Sequence, residues 1–213
     1  MIAAATVETP AWLDAYPNLR TVYVDWMSRE LVPIDVFNAM AGEVKTTAFS
    51  AVVTMNDVQR AKLLDGIGKA ITDGMTVKEF RDFAAPMLEN PAYADLVFGM
   101  NVGNAARGGQ YAEIFGSLGA DYPAWRYYAI RDDRNDQEDE CPHIVCRTLD
   151  GTVFNKTNPV GWRLLPPNHF QCRCYVGEVS AIEAASSSMP DRSDLRADDD
   201  FDFDKRSLAP VRF

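Results

Sequence analysis

The sequence predicts an α+β protein: a helical N-terminal region, then a small β-containing module stapled by Cys and His, then an acidic disordered tail. Three observations carry that reading. Apolar residues recur at helical intervals through most of the first 120 positions. Aromatic and β-branched runs replace them between Trp125 and Val179, and acidic and serine residues dominate beyond Ser180. Recurrence at three and four residues marks one face of a helix, whereas aromatic and β-branched runs suit strands. The expected divisions are 1–120, 121–180 and 181–213.

Trp12, Leu13 and Tyr16 open a short amphipathic segment that Pro17-Asn18 should break. Val22, Trp26, Leu31 and Val32 follow with loose helical spacing, up to Pro33. Val36, Phe37, Met40 and Val44 continue it, with Asp35 as a candidate N-cap. The clearest helix runs from about Asn56 to Ile71. Asn56 or Asp57 can cap it, and Val58, Ala61, Leu64, Ile67, Gly68 and Ile71 form one face. Gly74 stands where a helix-ending glycine belongs. Thr76 and Glu79 have the spacing of a capping box, in which each side chain meets a free backbone N–H. Phe80, Phe83, Ala84, Met87 and Leu88 supply the next stripe, and Pro86 should end it. Another helix is expected from Tyr93 through Phe115, interrupted or frayed near Gly108-Gly109. Gly99, Gly103, Ala105 and Ala106 suggest close packing there.

After Pro123 the residues Trp125, Tyr127, Tyr128 and Ile130 read as a strand. Residues 131–140 form a solvated acidic loop. Leu149 to Phe154 reads as a turn entering a strand, with Asp150-Gly151 as a hairpin signal. Pro166-Pro167-Asn168 is a rigid turn, and Tyr175–Val179 a last strand. The segment from Ser186 through Asp204 is too polar to form a core and is expected to be disordered when alone. Leu208–Phe213 is apolar again and suits a docking peptide or a frayed end.

The chain has 213 residues, 47% of them hydrophobic, which is enough for a real core. A net charge of −10 argues against a surface devoted to phosphate binding. No run of about 18 apolar residues marks a membrane span, and the N-terminus lacks the basic region of a signal peptide. The thiols are therefore expected in a reducing compartment, where metal ligands outnumber disulfides.

Both histidines and all four cysteines lie between Cys141 and Cys174. His143 and Cys146 are three residues apart, and His169 and Cys172 repeat that spacing. Zinc takes four ligands in a tetrahedron from such groups, and two short-spaced pairs can close one site. The expected ligands are His143, Cys146, His169 and Cys172, with Cys174 and Cys141 as alternates. Cys172 and Cys174 are spaced tightly for one ion. In small modules such binding contributes roughly 10–16 kcal/mol. A Cys146–Cys172 or Cys146–Cys174 disulfide, or buried thiols beside hydrogen-bonded histidines, would also fit these residues. Asn168-His169 beside a metal suggests an HNH-like nuclease. Both histidines, however, are already taken up by the metal set, and no phosphate loop or serine elbow is present, so no enzyme is expected.

Met100 to Val179 resembles the Mu F-like family of phage head morphogenesis proteins. The residues that carry the resemblance are Asn101, Gly109-Gln-Tyr111, Trp125-Arg-Tyr-Tyr128, Asp132-Asp-Arg134, Cys146-Arg-Thr-Leu-Asp-Gly151, Trp162, and Pro166-Pro-Asn-His-Phe-Gln-Cys172-Arg-Cys174. Cys146 stands where many members have histidine, and the loop before it is longer and more acidic than usual. The resemblance implies a minor capsid protein that joins the head at or near the portal vertex during procapsid assembly and supports DNA packaging or ejection. It implies a fold staple built on Cys146, His169, Cys172 and Cys174, with Gly151 at the turn and Trp162 in the small core. It names no catalytic residue. The expected partners are portal protein, major capsid or scaffold protein, with genomic DNA as a further one and no membrane. Multiple copies are expected in the phage head, after assembly in the host cytoplasm. The helical region would make the main contacts. The rival reading is a zinc-dependent nucleic-acid-binding or nuclease module with a basic patch at Arg126, Arg131, Arg147, Arg163 and Arg173. A delivered toxin-like effector fits least, since the chain has no room for a separate catalytic domain.

Overall fold

The computed structural model describes residues 9–15, 17–32, 34–40, 48–49, 56–88, 90–116, 121–130, 144–169 and 172–208. The chain forms two compact units, Met1–Gly109 with Leu208–Phe213, and Gln110–Ser207. The division falls inside a helix, eleven residues before the expected boundary at 120.

In the first unit, Ala11–Ala15 is a 3-10 turn and Pro17–Met27 an α-helix. The first segment thus ends before Pro17, as expected, and Pro17 itself opens the next helix. The first N–H of a helix has no intrahelical partner, so proline loses nothing there. Leu31 leaves the expected helix face: Glu30–Leu31 (β1) pairs in parallel with Ala48–Phe49 (β2). Ile34–Ala39 is a short helix, and Asp35 lies in its first turn instead of at its cap. Val44 and Pro33 lie outside the described residues.

The helix Asp57–Asp73 is capped by Asn56, whose side chain accepts from Gln59 N over 2.9 Å. The Gln59 side chain accepts in return from Asn56 N, 3.0 Å away. Gly74 ends the helix at φ 71, a left-handed value that glycine adopts without a Cβ clash. Thr76 and Glu79 form the second capping box, at the start of Val77–Ala84, and Pro86 lies in the turn beyond that helix. Arg81 holds Asp95 through two bonds, 2.9 and 2.6 Å, tying this helix to the next, Pro91–Ile114.

These helices bury Trp26, Leu63, Leu64, Ile67, Phe80, Ala84, Leu88, Ala94 and Val97 together. Trp26 Nε1 donates to the Leu64 carbonyl over 3.0 Å, so the largest core side chain keeps its polar handle satisfied. Val58, expected on the apolar face, is 66% exposed, because the face turns toward Leu63, Leu64 and Ile67. Pro91–Ile114 runs unbroken through Gly108-Gly109, contrary to expectation. A Cβ at Gly109 would stand 3.0 Å from Val22, so this glycine serves a close approach and not a break.

The second unit is built on an antiparallel sheet, ordered β4-β3-β5: Val153–Asn155, Ala124–Tyr128 and Tyr175–Val179. Trp125 faces Phe154 on one side and Glu178 on the other in register. The Trp125 and Phe154 rings stack at 4.7 Å. Three short helices, Ile144–Leu149, Pro159–Leu164 and Ala181–Ser186, pack around it. The described residues after 180, up to 208, depart from the expected disordered tail. They form a capped helix, a 3-10 turn at Asp199–Phe201 and another at Lys205–Leu208, with Ala197, Phe201 and Lys205 buried. Composition alone would leave this segment in solvent; contacts to residues far back in the chain hold it.

Candidate metal centre

Cys146 sits on the helix Ile144–Leu149, its side chain fully buried. Asp150-Gly151 does not join two strands as expected. Gly151, at φ 75, turns the chain from this helix into β4. His169 and Cys172 lie between the helix Pro159–Leu164 and β5, where Cys172 N donates to the His169 carbonyl over 3.2 Å. That turn folds both side chains to one side. The Pro166–Pro167 bond in front of it is cis.

The ligand atoms of Cys146, His169 and Cys172 lie within 4.8 Å of one another, and all three residues are buried. They are close enough to hold a metal ion. Cys146 Sγ and Cys172 Sγ are 3.9 Å apart. Two thiolates on a tetrahedral zinc, with bonds of about 2.3 Å, stand about 3.8 Å apart. A disulfide would need about 2.05 Å. The pair is too far apart for a disulfide and suits either two metal ligands or a thiol–thiol contact, and Cys146, Cys172 and Cys174 form no disulfide.

Cys174 borders this trio. It is buried, and the neighbouring Cys146 and Cys172 sulfurs are the largest influences on its thiol. The tight two-residue spacing is no obstacle. Cys172, Cys174 and Val176 are buried while Arg173 and Tyr175 are exposed, so the alternation that leads into β5 puts both thiols on one face. His143 and Cys141 lie outside the described residues.

A polar network supports the sulfurs. The Tyr127 hydroxyl donates to Cys146 Sγ over 3.0 Å. Asn168 Nδ2 donates to that hydroxyl over 3.1 Å and to the Leu164 carbonyl over 3.1 Å. Lys205 Nζ donates to Asn168 Oδ1 over 3.2 Å and also to the Arg163 carbonyl. Sequence reasoning missed Tyr127, Asn168 and Lys205 as parts of the site. The Pro-Pro-Asn block and the pairing of Asn168 with His169 hinted at Asn168 alone, and in another role.

These contacts shift the titrating groups in different directions. Hydrogen bonds from Cys146, Cys174 and His169 hold the Cys172 thiol well below its ordinary range despite burial. Cys146 is pushed up, first by its bond to Cys172, then by that to Cys174 and by burial. Burial chiefly raises Tyr127, which keeps its hydroxyl a donor. Burial draws the Lys205 ammonium down to about 7, opposed by Asp202 and by the Cys172 and Cys146 sulfurs.

The expected basic patch is partly neutralised. Arg126 pairs with Glu183 over 2.7 Å, and Arg163 pairs with Asp202. Arg131 lies outside the described residues. No helix among the described residues is long and apolar enough to cross a membrane.

The architecture is that of a helical unit joined to a small antiparallel sheet that carries a buried thiol–imidazole cluster. The chain is similar to a protein of Escherichia phage Mu described as "Putative capsid assembly protein F": 25% identical over 138 residues, covering 54% of this chain and 30% of that protein. The match therefore spans less than a third of the relative's length. No family model matches the chain. No solved structure matches it either.

Proposed function

We propose that this protein acts in phage head morphogenesis, as a virion assembly protein that docks on portal or capsid subunits. In this reading the helical unit makes the main contacts, and the second unit is held by a structural zinc ion. The observation that carries the assembly role is the similarity to the phage Mu protein over 54% of this chain.

The zinc reading rests on the donor set and its spacing. Cys146, His169 and Cys172 would supply three ligands, and Cys174 the fourth. Bound there, zinc would tie the Cys146 helix to the segment that enters β5. A structural zinc has all four positions filled by protein, whereas a catalytic one keeps a position open to water. Burial of the trio and of the neighbouring Asn168 favours the closed kind, and with it a non-enzymatic role. It disfavours a nuclease, whose histidine must reach a phosphodiester.

The test is co-expression of the full chain with the portal and major capsid proteins of the genome that encodes it. Sedimentation should carry the protein with portal rings or procapsids. Shells and portals that form and sediment without it would overturn the assembly reading. Native mass spectrometry of the same chain, made under reducing conditions, should give one zinc per chain; a metal-free mass with an intact fold would overturn the zinc reading alone.

A further inference from the structure

We propose that the segment from Ala197 to Ser207 is a strap that closes the metal centre, with Lys205 pinned behind the sulfurs, so that strap docking and metal retention reinforce each other. The proposal rests on the zinc reading for its ligand and on the strap's own contacts for its mechanism.

Five acidic residues crowd this stretch: Asp198, Asp199, Asp200, Asp202 and Asp204. Such a segment has little reason to leave water by itself. Five separate contacts bring it in. Asp198 N donates to the Asn168 carbonyl over 2.9 Å. Phe201 is buried, Arg163 pairs with Asp202, and the Arg206 guanidinium lies 3.3 Å from the Trp162 ring centre. The last is Lys205, which has no exposed surface.

A buried ammonium is costly unless its donors are met and its charge is balanced. Lys205 meets the Arg163 carbonyl and Asn168 Oδ1, and Nζ stands 5.5 Å from the Phe203 ring centre. Asn168 is the residue beside His169, and its amide leads through Tyr127 to Cys146. Lys205 is thus two hydrogen-bonding residues from a ligand sulfur. Its charge is also the right one. Three thiolates and one imidazole around a dication leave one excess negative charge, which a buried cation offsets. Burial of Lys205 therefore depends on the anionic centre, and the centre's ligand geometry depends on the residues Lys205 holds. Linkage makes that dependence mutual.

The experiment compares zinc-loaded full-length protein with Lys205→Met, which keeps the length and loses the charge and donors. Zinc transfer to a chromophoric chelator should be about 10-fold faster in the variant, the scale typical of second-sphere contacts. Hydrogen exchange of residues 197–207 should be slow in the zinc-loaded wild type and should rise after chelation. Unchanged transfer together with unchanged exchange would overturn the strap. Should Lys205→Met fail to fold, Arg206→Ala removes the contact to Trp162 and the pair with Asp204 inside the strap while leaving Lys205 in place, and it should shift both readouts in the same direction by less; no shift would again overturn the proposal. Should the wild type bind no zinc, the zinc reading fails separately, and the strap is read by iodoacetamide alkylation of Cys172 in reduced protein. Faster alkylation in the variant would support closure by the strap, and equal rates would overturn it.

Discussion

The Tyr127 hydroxyl stands between Cys146 Sγ, to which it donates over 3.0 Å, and Asn168 Nδ2, from which it accepts over 3.1 Å. One phenol on the central strand thereby joins a helix-borne thiol to the Pro-Pro-Asn turn. Tyr127→Phe keeps the ring and deletes both bonds. Each unmet buried partner costs about 1–3 kcal/mol, although Asn168 Nδ2 retains the Leu164 carbonyl. The expected outcome is a lower urea midpoint for the second unit, with an unchanged midpoint for the helical unit. Equal stability would show that the phenol only fills space.

The fourth ligand separates the two histidine and cysteine options by stoichiometry. Cys146→Ser, Cys172→Ser and Cys174→Ser should each abolish or greatly weaken zinc binding, measured by elemental analysis of purified protein. His143→Ala should retain one zinc per chain. The reverse result for the last two variants would return His143 to the site and leave Cys174 as a neighbour of the cluster, consistent with the trio formed by Cys146, His169 and Cys172.

The helical unit should carry an acid-sensitive cap. Hydrogen bonds from Thr76, backbone first and then hydroxyl, hold the Glu79 carboxyl below its ordinary value of 4.5. The folded state therefore binds its proton less readily than the unfolded chain. The stabilisation is complete above that ordinary value and is lost as pH falls through the folded one. Thr76→Ala should cost about 1 kcal/mol at neutral pH, and since the backbone bond remains it should flatten only part of the loss of stability on acidification, whereas Glu79→Gln should remove all of it. An acid limb identical in variant and wild type would assign that limb to other carboxylates.

Two helix glycines should respond with opposite signs. A Cβ at Gly66 would overlap the Phe83 ring, whereas one at Gly99 meets nothing within 4 Å. Alanine in an exposed helix position gains up to about 1 kcal/mol over glycine. Gly99→Ala should therefore stabilise the helical unit. Gly66→Ala should destabilise it, since overpacking costs about 1–3 kcal/mol and outweighs the same gain. Thermal unfolding of the two variants checks the pair, and stabilisation by both would mean that Phe83 moves aside freely.

Much of the fold was legible because it is decided within a few residues. The Thr76–Glu79 box, the Asn56 cap and the Gly74 stop each involve partners three or four positions apart, so spacing alone reveals them. The strand Tyr175–Val179 was equally plain from its residue types. The short helices Ile144–Leu149 and Pro159–Leu164 were not. Six residues show too little periodicity, and packing against the sheet stabilises them more than their own propensity does. Pro17 was legible as the end of the first segment, but its place as the first residue of the next helix was not.

By itself, the sequence determined the composition of the site: the cysteines and histidines gathered between Cys141 and Cys174, and the ordered blocks around them. Only the tertiary structure decided which of these meet and what surrounds them. It placed Cys146, His169 and Cys172 together, brought Cys174 against them through the alternation that leads into β5, and laid an acidic segment expected in solvent across the second unit. Lys205 reaches Asn168 across 37 positions, and Cys146 reaches Cys172 across 26. Contacts of that separation leave no local pattern. They depend on whether the burial of Phe201, the bond of Lys205 to Asn168 and the pairing of Asp202 with Arg163 outweigh the entropy of ordering the chain between them.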